Sequence, residues 1–236
     1  MKKRIAVAIA LIAFGILSII PTSPSDHSLK SRVVKLTSER GVCSGEQVKA
    51  PSGVSYVLTA AHCGSLAVDG QITVTTEDGR KLPRRIIAED DLNDLLLLEG
   101  VPGMDGIEVA ASTLKSESIR TFTHGRGFKT YKTRGELVEK KRVQIPVDTA
   151  VTKEDEKKCS GKAKFKVVDM NLGFWVMRMC VMDVELTVTT ATIVPGSSGG
   201  MVVNDAGELV GVVSAGDGVF GYLVPVDDIN RFISNY

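Results

Sequence analysis

The chain has 236 residues, 43% hydrophobic and 24% charged, which is enough to bury a full core and too apolar for a disordered chain. Its formal net charge is +1, so there is no basic excess to serve nucleic acid. It carries four cysteines, an even number.

The first residues read as a targeting segment. Lys2, Lys3 and Arg4 precede an uncharged run from Ile5 to Ile20, and the next acidic residue is Asp26. This is the basic and then apolar order of an export signal. Removing residues 1–25 takes away three basic residues and no acidic ones, so the slight positive balance belongs to that segment. Ser23-Pro24-Ser25 is the best small-x-small cleavage site, with Pro24 awkwardly placed. The uncharged run approaches the ~20 residues of a membrane span. Two readings stay open: a cleaved signal peptide, or an anchor that tethers the chain through residues 5–20. Either sends it out of the cytoplasm, secreted, periplasmic or membrane-anchored, and an even cysteine count suits an oxidising compartment.

From about residue 30 the chain reads as short strands and turns. Val33-Val34-Lys35-Leu36 is an apolar strand; Cys43-Ser44-Gly45 follows, then a hairpin through Pro51-Ser52-Gly53. Val54 to Thr59 forms a strand that runs directly into Ala60-Ala61-His62-Cys63. His62 is thus anchored by rigid structure yet able to face a cleft, although a histidine in that setting is also often a satisfied core residue. The other two histidines are His27, in the flexible leader, and His124, in a glycine-rich turn where a structural or solvent-facing role is expected. Gln71 to Thr76 is a strand, and Asp78-Gly79 a hairpin turn. An acidic loop ends at Asp94, and four leucines, Leu95 to Leu98, follow at once. A carboxylate at the mouth of a buried strand needs hydrogen-bond partners, and an imidazole N–H is one.

Near the C-terminal end, Pro195-Gly196-Ser197-Ser198-Gly199-Gly200 places a serine among glycines. Such a turn can aim the N–H groups of Gly196 and Ser198 at one point, where an oxyanion would develop if Ser198 attacked a carbonyl. His62, Asp94 and Ser198 stand in one of the chain orders in which a Ser-His-Asp triad occurs. Between them, Lys153 to Lys158 is a mixed charge run expected at a solvated hairpin tip. Phe174-Trp175-Val176-Met177 is expected in a core strand, with an exposed patch as the alternative. No metal-ligand spacing, phosphate loop or cofactor motif is found. Val226 to Ile233 reads as a short closing helix.

These segments resemble the trypsin/chymotrypsin-like serine proteases. Val57-Leu58-Thr59-Ala60-Ala61-His62-Cys63 is similar to their histidine motif. Asn93-Asp94-Leu95-Leu96-Leu97 and Pro195 to Gly200 resemble the aspartate and nucleophile motifs of the bacterial HtrA-like branch, and Leu209 to Gly216 resembles the strand lining the substrate cleft. The resemblance implies an all-β fold of two antiparallel six-stranded barrels, about residues 30–115 and 120–225, closed by a short C-terminal helix. It makes residues 30–236 a protease domain, without the PDZ domain of many HtrA-like proteins. It assigns catalysis to His62, Asp94 and Ser198 and the oxyanion hole to Gly196 and Ser198. Backbone pairing of a protein or peptide substrate falls to Ser214, Ala215 and Gly216, and the specificity pocket floor to Thr192. No cofactor is implied. The resemblance also pairs Cys43 with Cys63, leaving Cys159 and Cys180 to each other, although four cysteines allow three pairings. A silent binding protein on the same fold and an esterase using the same triad are the alternative functions.

Overall fold

The structure, a computed structural model, describes residues 24–113, 115–127, 129–149, 152–160, 165–171 and 176–236. The segment read as an export signal lies almost entirely outside these residues, as do Phe174 and Trp175.

The first half folds from six strands: β1 (Val33–Ser38), β2 (Gly41–Lys49), β3 (Ser55–Thr59), β4 (Gln71–Thr75), β5 (Lys81–Asp90) and β6 (Leu95–Glu99). They pair antiparallel in the order β1-β2-β3-β6-β5-β4 and close into a barrel. The second half contributes β7 (Ser118–Thr123), β8 (Tyr131–Thr149), β9 (Phe165–Asn171), β10 (Val176–Thr189), β11 (Met201–Val203), β12 (Leu209–Gly216) and β13 (Gly221–Pro225). Their order is β13-β12-β11-β7-β8-β10-β9, with β10 also paired to β13. Six of these strands therefore close on themselves, and β9 lies outside on β10 as a seventh strand that the six-stranded expectation lacked.

Strand periodicity explains how the two halves meet. Successive side chains of a strand point to opposite faces. In β6 this sends Leu96 and Leu98 into the first barrel, with Val34, Leu36, Val57, Ile72 and Val74. Leu95 and Leu97 point the other way, into a seam shared with Phe122 and Met201 of the second half. Both faces of β6 are buried, so an uninterrupted leucine run is what the strand needs. The second barrel has its own interior of Ile119, Leu137, Ala191, Val202, Val213 and Leu223.

Three short α-helices complete the described residues. α1 (Asp26–Lys30) starts where Ser25 Oγ accepts the Ser28 N–H at 3.2 Å. It is docked rather than part of a flexible leader: Leu29 is buried in the seam cluster, and the Asp26 carboxylate bridges Arg120 (3.1 Å) and Lys132. His27 is therefore helical. α2 (Lys153–Ser160) occupies the charge run read as a hairpin tip; its Lys and Glu residues are good helix formers, and the bonded pair Cys159–Cys180 fastens it to β10. α3 (Val226–Ile233) buries Val226, Ile229, Phe232 and Ile233 on one face, as its sequence pattern predicts.

The expectation of a core strand at 174–177 is not met by its described residues. Val176 is 68% exposed and Met177 41%. Both sit at the start of β10, where they pair with Asn171 and Met170 of β9, the strand outside the barrel, before the pairing with β8 begins at Met179.

Candidate active site

His62 is the second residue of a 3-10 segment, Ala61–Leu66, that follows β3 after Ala60. Its position is pinned by the Cys43–Cys63 bond, which ties the next residue to β2. Asp94 sits on the turn into β6 with a left-handed φ of 56°, a conformation that Asp tolerates better than most side chains. The turn before it is organised by Asp90, whose carboxylate accepts the N–H groups of Leu92 (3.0 Å) and Asn93 (3.2 Å) and the Asn93 side-chain amide (2.7 Å).

These two elements place His62 Nδ1 at 3.0 and 3.1 Å from the Asp94 oxygens. The His62 backbone N–H also donates to Asp94 Oδ1 at 3.0 Å, and Ser214 Oγ donates to Oδ2 at 2.5 Å. The carboxylate is 1% exposed, whereas the imidazole keeps 29% of its side-chain surface open. Burial alone would lower the His62 pKa; the charge and hydrogen bond of Asp94 outweigh it and raise the pKa above the usual 6.5.

Ser198 follows a turn whose form is set by its sequence. The Ser197 N–H donates to the Val194 carbonyl at 3.0 Å, and Gly196 has φ 88°. Proline second and a left-handed glycine third is the pattern of a type II turn. Gly199 allows the two halves to touch: a Cβ there would lie 2.0 Å from Thr59 Oγ1 and 2.3 Å from the Ser44 carbonyl. The Ser198 hydroxyl donates to the Ser214 carbonyl at 3.2 Å. Among the described residues no hydrogen bond joins it to His62, and none uses the N–H of Gly196 or of Ser198.

Ser214, Ala215 and Gly216 end β12, where the register with β13 shifts between Val213 and Ala215. Ser214 thus sends its side chain to Asp94 and its carbonyl to Ser198. Thr192 is exposed, and its carbonyl accepts from Tyr131 (3.4 Å) and Thr133 (3.3 Å). Its neighbour Ile193 is the side chain that lies against the end of β12: a Cβ on Gly216 would lie 2.9 Å from Ile193 Cβ, and one on Gly221 2.5 Å from Ile193 Cγ1. His124 is buried, its ring 3.4 Å from Thr130 Oγ1, and not solvent-facing.

The sequence reading passed over Ser44 and Ile193. Ser44 stands beside Cys43, whose partner adjoins His62, and that adjacency was the available signal. Ile193 adjoins Thr192 in sequence, and that adjacency was its only signal.

A family model described as a trypsin-like peptidase domain matches residues 40–212. No curated protein matches the chain by sequence. Among solved structures, the chain is similar to an inactive form of the Rv3671c protease, at 18% identity and a TM-score of 0.61, covering 92% of this chain and 98% of that one. An inactive serine-to-alanine mutant of Rv3671c from M. tuberculosis H37Rv is similar at 19% identity and a TM-score of 0.62, covering 92% and 91%. The serine endoprotease from Yersinia pestis is similar at 18% identity and a TM-score of 0.59, covering 90% of this chain and 68% of that one. At these identities the likeness is one of fold.

Proposed function

The chain belongs to the trypsin-like peptidase domain family, and we propose that it is a serine endopeptidase working through His62, Asp94 and Ser198. Ser198 leaves the Ser214 carbonyl by rotating about its Cα–Cβ bond and attacks a peptide carbonyl. His62 takes the hydroxyl proton and returns it to the leaving amine; Asp94 holds the tautomer with the proton on Nδ1 and stabilises the imidazolium. The N–H groups of Gly196 and Ser198 receive the oxyanion, and water then hydrolyses the acyl-enzyme. Ala215 and Gly216 add the substrate as an extra strand.

The observation that carries this reading is the Asp94 carboxylate. It is buried and fully engaged, and three of its contacts are to His62, whose ring remains open to solvent. A buried charge needs such compensation, and a purely structural ion pair gains nothing from an exposed imidazole edge. The HtrA-like branch is supported by Ser197: in many trypsin-like zymogens an Asp before the nucleophile pairs with the amine freed by N-terminal cleavage, and Ser197 carries no charge to receive one. Export is supported by the two bonded cysteine pairs, which suit an oxidising compartment, and by the signal-like residues 1–25. Among the described residues no helix is long and apolar enough to cross a membrane.

The test is labelling of the folded protein with a fluorophosphonate, beside Ser198→Ala and His62→Ala controls, followed by turnover of peptide and ester substrates. Labelling lost in both variants, with peptide hydrolysis, supports the proposal. A folded wild-type protein that is never labelled supports the silent binding protein, and turnover of esters alone supports the esterase.

A further inference from the structure

The turn that presents Gly196 and Ser198 is held from outside by two carbonyl contacts. A peptide unit is planar, with its C=O and N–H pointing in opposite directions. The Pro195 carbonyl accepts the Arg126 N–H at 2.6 Å, which turns the Gly196 N–H the other way. The Gly196 carbonyl accepts the Ser44 hydroxyl at 2.9 Å, which turns the Ser197 N–H back onto Val194. The first contact comes from the second barrel and the second from the first barrel.

Ser44 is completely buried on β2, and each of its polar groups is used. Its Oγ accepts the His124 N–H at 2.7 Å while donating to Gly196. Its N–H donates to the Ser198 carbonyl at 2.8 Å, and its carbonyl accepts Thr59 Oγ1 at 2.7 Å. Through His124 it also braces Gly125–Gly127, the 3-10 turn that supplies the Arg126 N–H. That turn closes from Gly127 N–H to the His124 carbonyl at 2.8 Å, and Lys35 Nζ of β1 holds the Gly127 carbonyl at 3.3 Å. The hydroxyl therefore grips both the turn bearing the N–H groups and the turn that orients it.

We propose that Ser44 is a positioning residue whose hydroxyl, bridging His124 and Gly196 across the seam, locks the Gly196 peptide in the orientation that receives an oxyanion. This rests on the serine-peptidase reading of Ser198. It also answers what holds the turn where Ser197 carries no charge: Ser197 is buried, and its hydroxyl donates to Thr123 Oγ1 at 3.1 Å and accepts the Val194 N–H at 3.5 Å. Without the Ser44 hydroxyl, the Gly196 carbonyl and the His124 N–H lose it as a partner, the Gly196–Ser197 peptide is no longer held from the first barrel, and the turn keeps only the Arg126 N–H on the Pro195 carbonyl.

The experiment uses the full chain with Ser44→Ala, Ser44→Gly and Ser44→Thr. In folded Ser44→Ala or Ser44→Gly protein, kcat on a peptide substrate should fall about 10- to 100-fold. KM should stay within about twofold, because ground-state contacts are untouched. Ser44→Thr, which keeps the hydroxyl, should recover most of kcat. Glycine-selective 15N labelling gives a readout independent of turnover: the Gly196 amide resonance should move or broaden in Ser44→Ala while that of Gly207, in a remote turn, stays in place. An unchanged kcat and an unmoved Gly196 resonance in a folded variant overturn the proposal and leave the peptidase reading standing. A fall in kcat with the Gly196 resonance unmoved also overturns it, since the loss then has another origin. A wild-type protein with no turnover refutes the peptidase reading, and the Gly196 resonance still decides whether Ser44 locks the turn.

Discussion

Ser214 donates its hydroxyl to the Asp94 carboxylate at 2.5 Å, across 120 residues of sequence and across the seam between the two barrels. Asp94 belongs to the turn entering β6 and Ser214 to the end of β12, so this bond sets one half of the candidate triad against the other. Ser214→Ala should cost about 1.5–3 kcal/mol of stability, the usual range for a hydrogen bond to a charged group. It should lower kcat/KM roughly tenfold by loosening the carboxylate that orients His62. Denaturant unfolding and steady-state kinetics check both, and an unchanged kcat/KM would show that Asp94 is held well enough by His62 alone.

The raised His62 pKa has a direction in pH. The imidazole must be neutral to accept the Ser198 proton, so kcat/KM should fall as pH drops through a value above 6.5, with a slope of one proton. Asp94→Asn removes the charge that raises the pKa and leaves the burial that lowers it. Asn also tolerates the left-handed backbone, so the fold should survive. The variant should be slower by roughly 10³- to 10⁴-fold, with its acid limb shifted to lower pH. An acid limb that stays in place would mean that His62 is not the titrating group.

Ile193 should set the size of the residue accepted before the scissile bond. Its side chain crowds Gly216 and Gly221, where a deeper pocket would open. Thr192, expected at the pocket floor, is exposed, and neither residue offers a carboxylate for Lys or Arg. Wild-type protein should cleave after small or aliphatic residues. Ile193→Ala should extend the profile to larger ones, with about 10- to 100-fold gains in kcat/KM for a newly admitted side chain. A peptide-library profile of the two proteins tests this, and cleavage mainly after Lys or Arg would contradict it.

Glu46 lies on β2, on the same face as Ser44, and is completely buried with no partner for either carboxylate oxygen among the described residues. Burial raises its pKa well above the usual 4.5. The folded state thus holds a proton that the unfolded chain releases, and stability should decline as pH rises above about 4.5. Glu46→Leu should stabilise the protein by about 1–3 kcal/mol, by more at pH 9 than at pH 5. Thermal unfolding at the two pH values would show it; a gain independent of pH would mean that Glu46 is not protonated in the fold.

The docked α1 bears on activation. The neutral Ser197 predicts a site that forms without a new N-terminus, and the structure places Leu29 and Asp26 in contacts of their own on the second barrel. Protein starting at Val33 should therefore be less stable than protein starting at Asp26, by about 2–5 kcal/mol for the loss of a buried leucine. It should be no more active. If the longer protein is folded and inactive and trimming switches it on, the chain is a zymogen and the reading of Ser197 is wrong.

What the residues alone determine here is local and covalent. The strand ending at His62, the Pro-Gly turn before Ser198, the Asp-Gly hairpin and the amphipathic α3 all follow from backbone preferences and periodicity. Leu95 to Leu98 announces a strand buried on both faces, because only two apolar environments justify four leucines in a row. Which face meets which environment is settled by partners far away in sequence, such as Val34 and Val57 on one side and Phe122 and Met201 on the other. The same distance hides Ser44. In sequence it is a small polar residue in a strand, and its contacts to His124 and Gly196 come from residues 80 and 152 positions along. Val176 and Met177 mislead for the converse reason: apolar composition signals burial only where there is a core to enter, and β8 and β10 run past theirs. Local free energies choose strands and turns. Which hydroxyl reaches which carbonyl depends on how two closed barrels register against each other, and that is decided by packing across the whole seam at once.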